Sequence, residues 1–269
     1  MITSTSNPQI KNIVQLEKKP RARKEQGLFV VEGSKMFAEA PRDNIKKVYC
    51  SQSFLEKSEH RDLLESKGFG PDCQGTEMVE DKVFKGLSDT MSPQGILCVM
   101  RQMAYTLEEI LGENTKDGTP FLLLLEDLQD PGNLGTILRT GEGAGVTGVI
   151  MSRNTVDIYN PKVIRSTMGS VYRVPFLYTD SLLGILPQLK EAGITTYAAH
   201  LQGVSDYDRQ DYTGGTGFLI GNEGNGLSDA LSFGADVKIK IPMCGQVESL
   251  NAAMACGILA YEAYRQRRG

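Results

Sequence analysis

The stretch "LQDPGNLGTILRT" (residues 128–140) decides the fold. It follows an apolar run, Phe121 to Leu125, and two acids. A Pro-Gly corner then turns the chain into a helix-like segment carrying Asn133, Gly135 and Arg139. A glycine-bearing turn between a strand and a helix is the outline of a phosphate site. No Lys-Ser/Thr pair follows to hold a nucleotide and its metal, so the Asn-Gly-Arg trio needs another explanation.

Working outward, apolar strands alternate with helices. The strands are "FLLLLED", "GVIMS", "VPFLY", "TTYAAH", "GFLIGN" and "VKIKIPM"; helices are predicted around 134–143, 160–170, 181–192, 226–232 and 249–266. Continuous apolar strands separated by helices imply a mostly parallel sheet covered on both faces. Two further strand ends break into polar loops: "FLIGNEGNGLS" (218–228), and "IKIPMCGQVESLNAAMACGILAYEA" (239–263), where Ser249 and Asn251 open a helix. Ligands bind at such strand ends in open α/β sheets. Taken singly, Asn133 and Ser249 are good helix caps, and Gly221, Gly224 and Gly226 are good turn residues. Glu223 is an odd choice for a mere turn, and three such loops on one sheet point to a site.

Gly143, Gly145 and Gly148 also fit G-x-G-x-x-G. The dinucleotide fingerprint must follow a strand and open a helix. This one follows a helix and opens "GVIMS", so it reads as a helix stop. In the last helix, Leu250, Ala253, Met254, Gly257, Ile258 and Tyr261 share a face. Its small residues permit close approach of another helix, including one from a second subunit.

Upstream, "NPQIKNIVQLEKK" (7–19) predicts a helix opened by Asn-Pro. "GLFVVEG", "IKKVYCS" and "GILCVMR" predict strands, and "SKMFAEAP", "SFLEKSEHRDLLESKG" and "TEMVEDKVFKGLSDT" predict helices. Residues 1–104 therefore suit a small α/β domain. The polar stretch around 105–119 reads as a linker, and 120–269 as the second domain.

The bulk numbers narrow the classes. A net charge of −4 over 269 residues does not by itself announce a nucleic-acid binder. Locally, Lys11, Lys18, Lys19, Arg21, Arg23 and Lys24 face only Glu17, and the tail carries Arg265, Arg267 and Arg268. The five scattered cysteines fit free thiols in a reducing compartment. Two histidines and no C-x-x-C pair leave no expected metal site. The N-terminus has no apolar signal core, and no apolar run is long enough for a bilayer, so a soluble cytoplasmic protein is expected.

The three loop stretches, in this order and spacing, resemble the three motifs of the SpoU (TrmH-type) branch of the SPOUT RNA methyltransferases, over about residues 120 to 266. "NPQIKNI" and "RARKEQGLFVVEG" resemble the RNA-binding domain that often precedes it. The resemblance implies an α/β fold with a C-terminal trefoil knot, S-adenosylmethionine held by the knot loops, and a homodimer. It also implies methylation of a ribose 2′-hydroxyl in RNA. Carried over by position, Asn133, Arg139, Glu223, Ser249 and Asn251 are the catalytic set. By the same resemblance Ala199 (or the adjacent His200), Gly221, Ile241 and Leu250 are expected at the cofactor; the basic run makes Arg21, Arg23 and Lys24 the candidates for RNA phosphates, with Arg165 a further candidate. No motif position departs from the family pattern, which argues against a non-catalytic RNA-binding relative. The N-terminal domain favours 23S ribosomal RNA; tRNA and a base acceptor are the alternatives. A guanidinium normally stays protonated. Arg139 is therefore open to two roles, general base or clamp for phosphate and alkoxide.

Overall fold

In a computed structural model of the chain, residues 1–88, 93–112, 119–201 and 203–268 are described. In chain order the elements are α1 (Pro8–Lys18), α2 (Pro20–Gln26), β1 (Leu28–Glu32), α3 (Ser34–Glu39), β2 (Ile45–Ser51), α4 (Gln52–Glu56), α5 (Ser58–Ser66), β3 (Thr76–Val79), α6 (Asp81–Lys85) and β4 (Ile96–Arg101). Then come α7 (Leu107–Gly112), β5 (Phe121–Leu125), α8 (Pro131–Gly143), β6 (Gly148–Ser152), α9 (Pro161–Thr167), β7 (Phe176–Thr179), α10 (Leu182–Glu191), β8 (Ile194–Ala199), β9 (Ser205–Asp206), β10 (Gly215–Ile220), α11 (Asp229–Gly234), β11 (Val237–Lys240) and α12 (Ala252–Arg267). The chain divides into two compact units, Met1–Met103 with Tyr159–Tyr172, and Ala104–Ile158 with Arg173–Gly269.

The first unit is built on a four-stranded sheet in the order β1-β4-β2-β3. Asn7 caps α1 by accepting from the Gln9 N–H, and Pro8 fits the first helical turn, where no N–H is needed. Ile10, Ile13 and Leu16 then line one face and enter a core with Leu28, Val30, Leu97 and Val99. Two helix expectations change here. Residues 53–68 form two helices broken at Lys57. The stretch expected as a helix from Thr76 opens as a strand parallel to β2, because Val79 is wanted by the core and by a bridge to Ile2. That expectation's last residues, 89 and 90, lie outside the described residues. The segment Tyr159–Tyr172, central in the sequence, belongs to this unit. The Tyr159 ring lies 4.5 Å from that of Phe29, and its hydroxyl donates to the Met103 carbonyl at 2.8 Å.

The second unit carries a seven-stranded sheet in the order β7-β6-β5-β10-β8-β11-β9, and every pair in it is parallel. Parallel strands need crossovers, which cover both faces and call for continuous apolar strands. Leu122 and Leu124 pack with Leu182, Ile185 and Leu189 of α10 and Leu231 of α11. Leu123 points the other way, toward α8, where a Cβ on Gly141 would come within 3.2 Å of its Cδ1. α8 packs against α12 through small residues: a Cβ on Gly257 would meet Thr140 Cγ2 at 3.4 Å. The glycine decoy is a helix exit: α8 ends at Gly143, Gly145 turns with φ +83°, and Gly148 starts β6.

Three local expectations need amendment. Within 105–119, expected as a linker, Leu107–Gly112 forms a helix whose Ile110 is fully buried; 113–118 lie outside the described residues. The two-residue edge strand β9 carries no periodic signal and was not expected. A basic tail such as 265–268 reads in sequence as solvated surface, yet the Arg267 guanidinium donates to the carbonyls of Tyr212, Gly214 and Pro120. Among the described residues, no helix is long and apolar enough to cross a membrane.

Candidate active site

Three loops at the C-terminal ends of β5, β10 and β11 meet in one hydrogen-bonded set. Asn133 sits in the first turn of α8. It does not cap that helix: Asp130 does, accepting from the Asn133 N–H at 2.8 Å, with Pro131 behind it. The Asn133 side chain is thereby left for long-range contacts. Its Nδ2 donates to Glu223 Oε1 at 2.9 Å, and its Oδ1 accepts from Asn251 Nδ2 at 3.0 Å. Asn251, not Ser249, caps α12, its Oδ1 accepting from the N–H groups of Ala253 and Met254.

Glu223 accepts two more bonds, from the N–H of Gln129 at 3.0 Å and of Asp130 at 2.9 Å. Burial pushes its carboxyl upward, but the donors from Asn133, Gln129 and Asp130 outweigh this and hold its pKa below the ordinary value. A carboxylate whose two oxygens already serve three donors is a poor proton acceptor for a substrate. Its work is to tie the loop after β10 to the loop after β5.

The loop carrying Glu223 is itself tightly built. Asn222 and Gly226 exchange backbone bonds, and a Cβ on Gly221 would fall 2.1 Å from Gly226 C, so only glycine fits there. Asn222 Oδ1 accepts from the N–H of Gly224 and Asn225, while its Nδ2 donates to the Asp127 carbonyl at 2.7 Å.

Arg139 and Ser249 stand outside this set. Both are exposed, and neither makes a side-chain hydrogen bond or ion pair among the described residues. Ala199, Gly221 and Ile241 lie at or just beyond the C-terminal ends of β8, β10 and β11, which are adjacent in the sheet. Leu250, also exposed, precedes the Asn251 cap. Small or apolar side chains and close-packed backbone at one sheet edge fit the adenosine part of a nucleoside cofactor, which backbone groups can read.

The basic residues separate sharply. Arg21 and Lys24 are exposed, and Arg21 pairs with Glu25 at 2.6 Å. Arg23 is a correction: it is 2% exposed and donates to the carbonyls of Leu16 and Glu17, so it is a structural residue and cannot reach a phosphate. Arg165 is half-exposed in the last turn of α9, in the first unit. Sequence reasoning missed Asp127, Gln129, Asp130 and Asn222. Asp130 was findable, since Asp before Pro at a helix start is a cap signature.

A family model described as SpoU rRNA Methylase matches residues 120–261, more than half of the chain. The chain belongs to the SpoU rRNA methylase family. A second model, the MRM3-like substrate binding domain, matches residues 7–98. The chain is 32% identical over 260 residues to the 23S rRNA (guanosine(2553)-2′-O)-methyltransferase RlmP of Bacillus subtilis, covering 97% of each. It is similar to the AdoMet-bound rRNA methyltransferase of Sinorhizobium meliloti, with a TM-score of 0.81, 31% identity, and 98% and 97% of the two chains covered. It is also similar to the SpoU methyltransferase AviRb of Streptomyces viridochromogenes in complex with AdoMet, with a TM-score of 0.84, 26% identity, and 97% and 99% covered.

Proposed function

We propose that this SpoU methylase transfers a methyl group from S-adenosylmethionine to a ribose 2′-hydroxyl of RNA, in 23S ribosomal RNA. The observation that carries this is the Asn133–Glu223–Asn251 set, which joins three strand-end loops beside Ala199, Gly221, Ile241 and Leu250. The relative whose name specifies 2′-O-methylation of 23S rRNA spans both chains almost completely, which supports the acceptor.

When bound, S-adenosylmethionine supplies an activated methyl group on a sulfonium. The protein's task is to align the ribose oxygen and ease loss of its proton. Glu223 takes no proton in this scheme. It holds the N-terminal turn of α8, and so Asn133, in place. Arg139, charged, exposed and without an acidic partner among the described residues, is free to grip the RNA phosphate and stabilise the developing alkoxide. Ser249 and Asn251 position the ribose.

RNA capture falls to the exposed Arg21 and Lys24, with Arg165 as a further contact. The two chains of a homodimer would meet on the outer face of α12, where Met254 is 61% and Tyr261 49% exposed. The trefoil knot rests on membership of the SpoU family. A ribosomal RNA substrate supports a cytoplasmic location.

Ribose-methylation mapping of total RNA, with and without the gene, tests this reading. Loss of one 2′-O-methyl in 23S rRNA is expected. A lost tRNA or base methylation instead would overturn the assigned acceptor.

A further inference from the structure

Asp127 is the residue the motifs pass over, yet it has unusual geometry. It stands just beyond β5, with φ +52°, in the left-handed region that, glycine apart, mainly Asn and Asp enter. Four side chains hold it there. Its N–H donates to Ser152 Oγ at 2.7 Å, and Ser152 Oγ donates back to its carboxylate at 2.6 Å. Asn154 Nδ2 reaches the other carboxylate oxygen at 3.3 Å. Its carbonyl accepts from Asn222 Nδ2 at 2.7 Å and from Gln129 Nε2 at 2.9 Å. The loops after β5, β6 and β10 therefore converge on one backbone unit.

The consequence lies in the next three residues. Leu128 is fully buried, and its carbonyl accepts from Val156 N. The chain is thus pinned on both sides of the turn, and the N–H groups of Gln129 and Asp130 emerge toward Glu223. A strained backbone unit survives only where its surroundings over-determine it, and such units gather at functional sites.

We propose that Asp127 is a positioning residue for methyl transfer. Its left-handed backbone, locked by Ser152, Asn154 and Asn222, aims the Gln129 and Asp130 N–H groups at Glu223, and Glu223 in turn holds Asn133 toward Asn251. This rests on the assignment of that set to methyl transfer. Asp127 touches no substrate; it acts through the loop. The carboxylate serves as an acceptor for Ser152 and Asn154, so its shape matters and its charge does not. Asn keeps the Ser152 acceptor and tolerates the left-handed region, whereas Ala does neither well.

The test compares Asp127→Asn and Asp127→Ala in the full-length protein. Label transfer from S-adenosylmethionine to RNA from cells lacking the gene gives kcat and KM. Amide hydrogen exchange at Gln129 and Asp130 gives the loop geometry without reference to activity. For Asp127→Ala, kcat falls between about tenfold and a hundredfold while both KM values stay within about twofold. The two amides exchange at least about tenfold faster. For Asp127→Asn, both measures stay near wild type. Two results overturn the proposal: Asp127→Ala with wild-type amide rates, or Asp127→Asn falling as far as Asp127→Ala. A fall in kcat matched by the unfolded fraction at the assay temperature also overturns it. A wild-type protein that transfers no label to ribose sinks the functional assignment instead, and the exchange rates still decide whether Asp127 sets the loop.

Discussion

Asn251 and Asn133 are 118 positions apart in the chain, and Asn251 Nδ2 donates to Asn133 Oδ1 at 3.0 Å. That bond ties the start of α12 to the first turn of α8. The other end of the Asn133 amide is used as well, by Glu223. One amide therefore joins a donor and an acceptor from two other loops, with its own acceptor and donor on separate atoms, which a hydroxyl of similar size cannot offer.

Asn133→Asp tests this relationship. The change keeps the shape and the acceptor for Asn251 but removes the donor to Glu223, and it sets two carboxylates face to face. At this solvent-screened site, losing that hydrogen bond costs about 1 kcal/mol, and repulsion between the carboxylates adds to it. Urea denaturation is expected to show destabilisation of about that size, with turnover lowered by at least about a hundredfold. Wild-type stability in Asn133→Asp would mean that the amide end facing Glu223 is idle.

Glu223 gives a pH signature. Its folded pKa lies below the ordinary value because of its donors. A depressed carboxyl contributes stability above the unfolded value and loses it as pH falls through the folded one. Glu223→Gln turns an amide NH₂ toward one of those donors and costs about 1 kcal/mol at this solvent-screened site at neutral pH. The gap between wild type and variant is expected to hold constant from pH 8 to pH 6, as a flat plateau in the stability difference. It then closes on acidification below the ordinary carboxylate range. A gap that widens in acid would contradict the depressed pKa.

Arg139 behaves oppositely. Being exposed and outside the hydrogen-bonded set, it can be changed with little effect on the fold. Arg139→Ala and Arg139→Lys are both expected to melt with wild-type stability, within about 0.5 kcal/mol. Turnover falls in both, because Lys keeps the charge but not the planar fork. Near-normal turnover in Arg139→Lys would remove Arg139 from the reaction.

The sheet was legible because Leu122, Leu123 and Leu124 are all buried, so the strand shows as an unbroken apolar run. Asn133, Glu223 and Asn251, which fold into one hydrogen-bonded set, are drawn together in the sequence only by the family pattern, since Asn133 and Asn251 taken singly read as ordinary helix-start residues. What the sequence hid was pairing across the chain. Nothing local in "TEMV" announces a strand, because its place beside β2 is set by tertiary contacts at Val79. Nothing local marks Asp127 as left-handed either, since its four partners come from three loops. Arg23 was misread for a related reason. A run of basic residues looks uniformly solvated, and only folding shows which one turns inward.

The two halves of that basic run should therefore separate experimentally. Arg23→Met leaves the carbonyls of Leu16 and Glu17 without their donor and is expected to cost about 2–3 kcal/mol in urea denaturation. Arg21→Gln with Lys24→Gln should leave stability within about 0.5 kcal/mol. The same double change weakens RNA binding and lowers the salt slope by up to about 1.4, at about 0.7 per single-strand phosphate contact. Filter binding across a salt series measures both. An unchanged slope would take these two residues off the RNA.

The segment Tyr159–Tyr172 leads to the last prediction. A cut by sequence at residue 104 would separate it from the first unit, to which it belongs. The cut strips the Tyr159 ring from Phe29 and its hydroxyl from Met103, and removes the Tyr172 hydroxyl contact to Met100 at 3.6 Å. It also takes away α9, which packs on β1 and buries Val163 and Ile164. Losing two buried aliphatic side chains and two large aromatic contacts removes about 1.5–3 kcal/mol for each fully buried group, a large share of the stability of a domain of this size. Fragment 1–104 is therefore expected to be partly unfolded and to bind a dye for exposed apolar surface. The same fragment extended by a flexible linker and residues 159–172 should melt cooperatively at higher temperature. Equal melting of the two fragments would show that the first unit is complete without that segment.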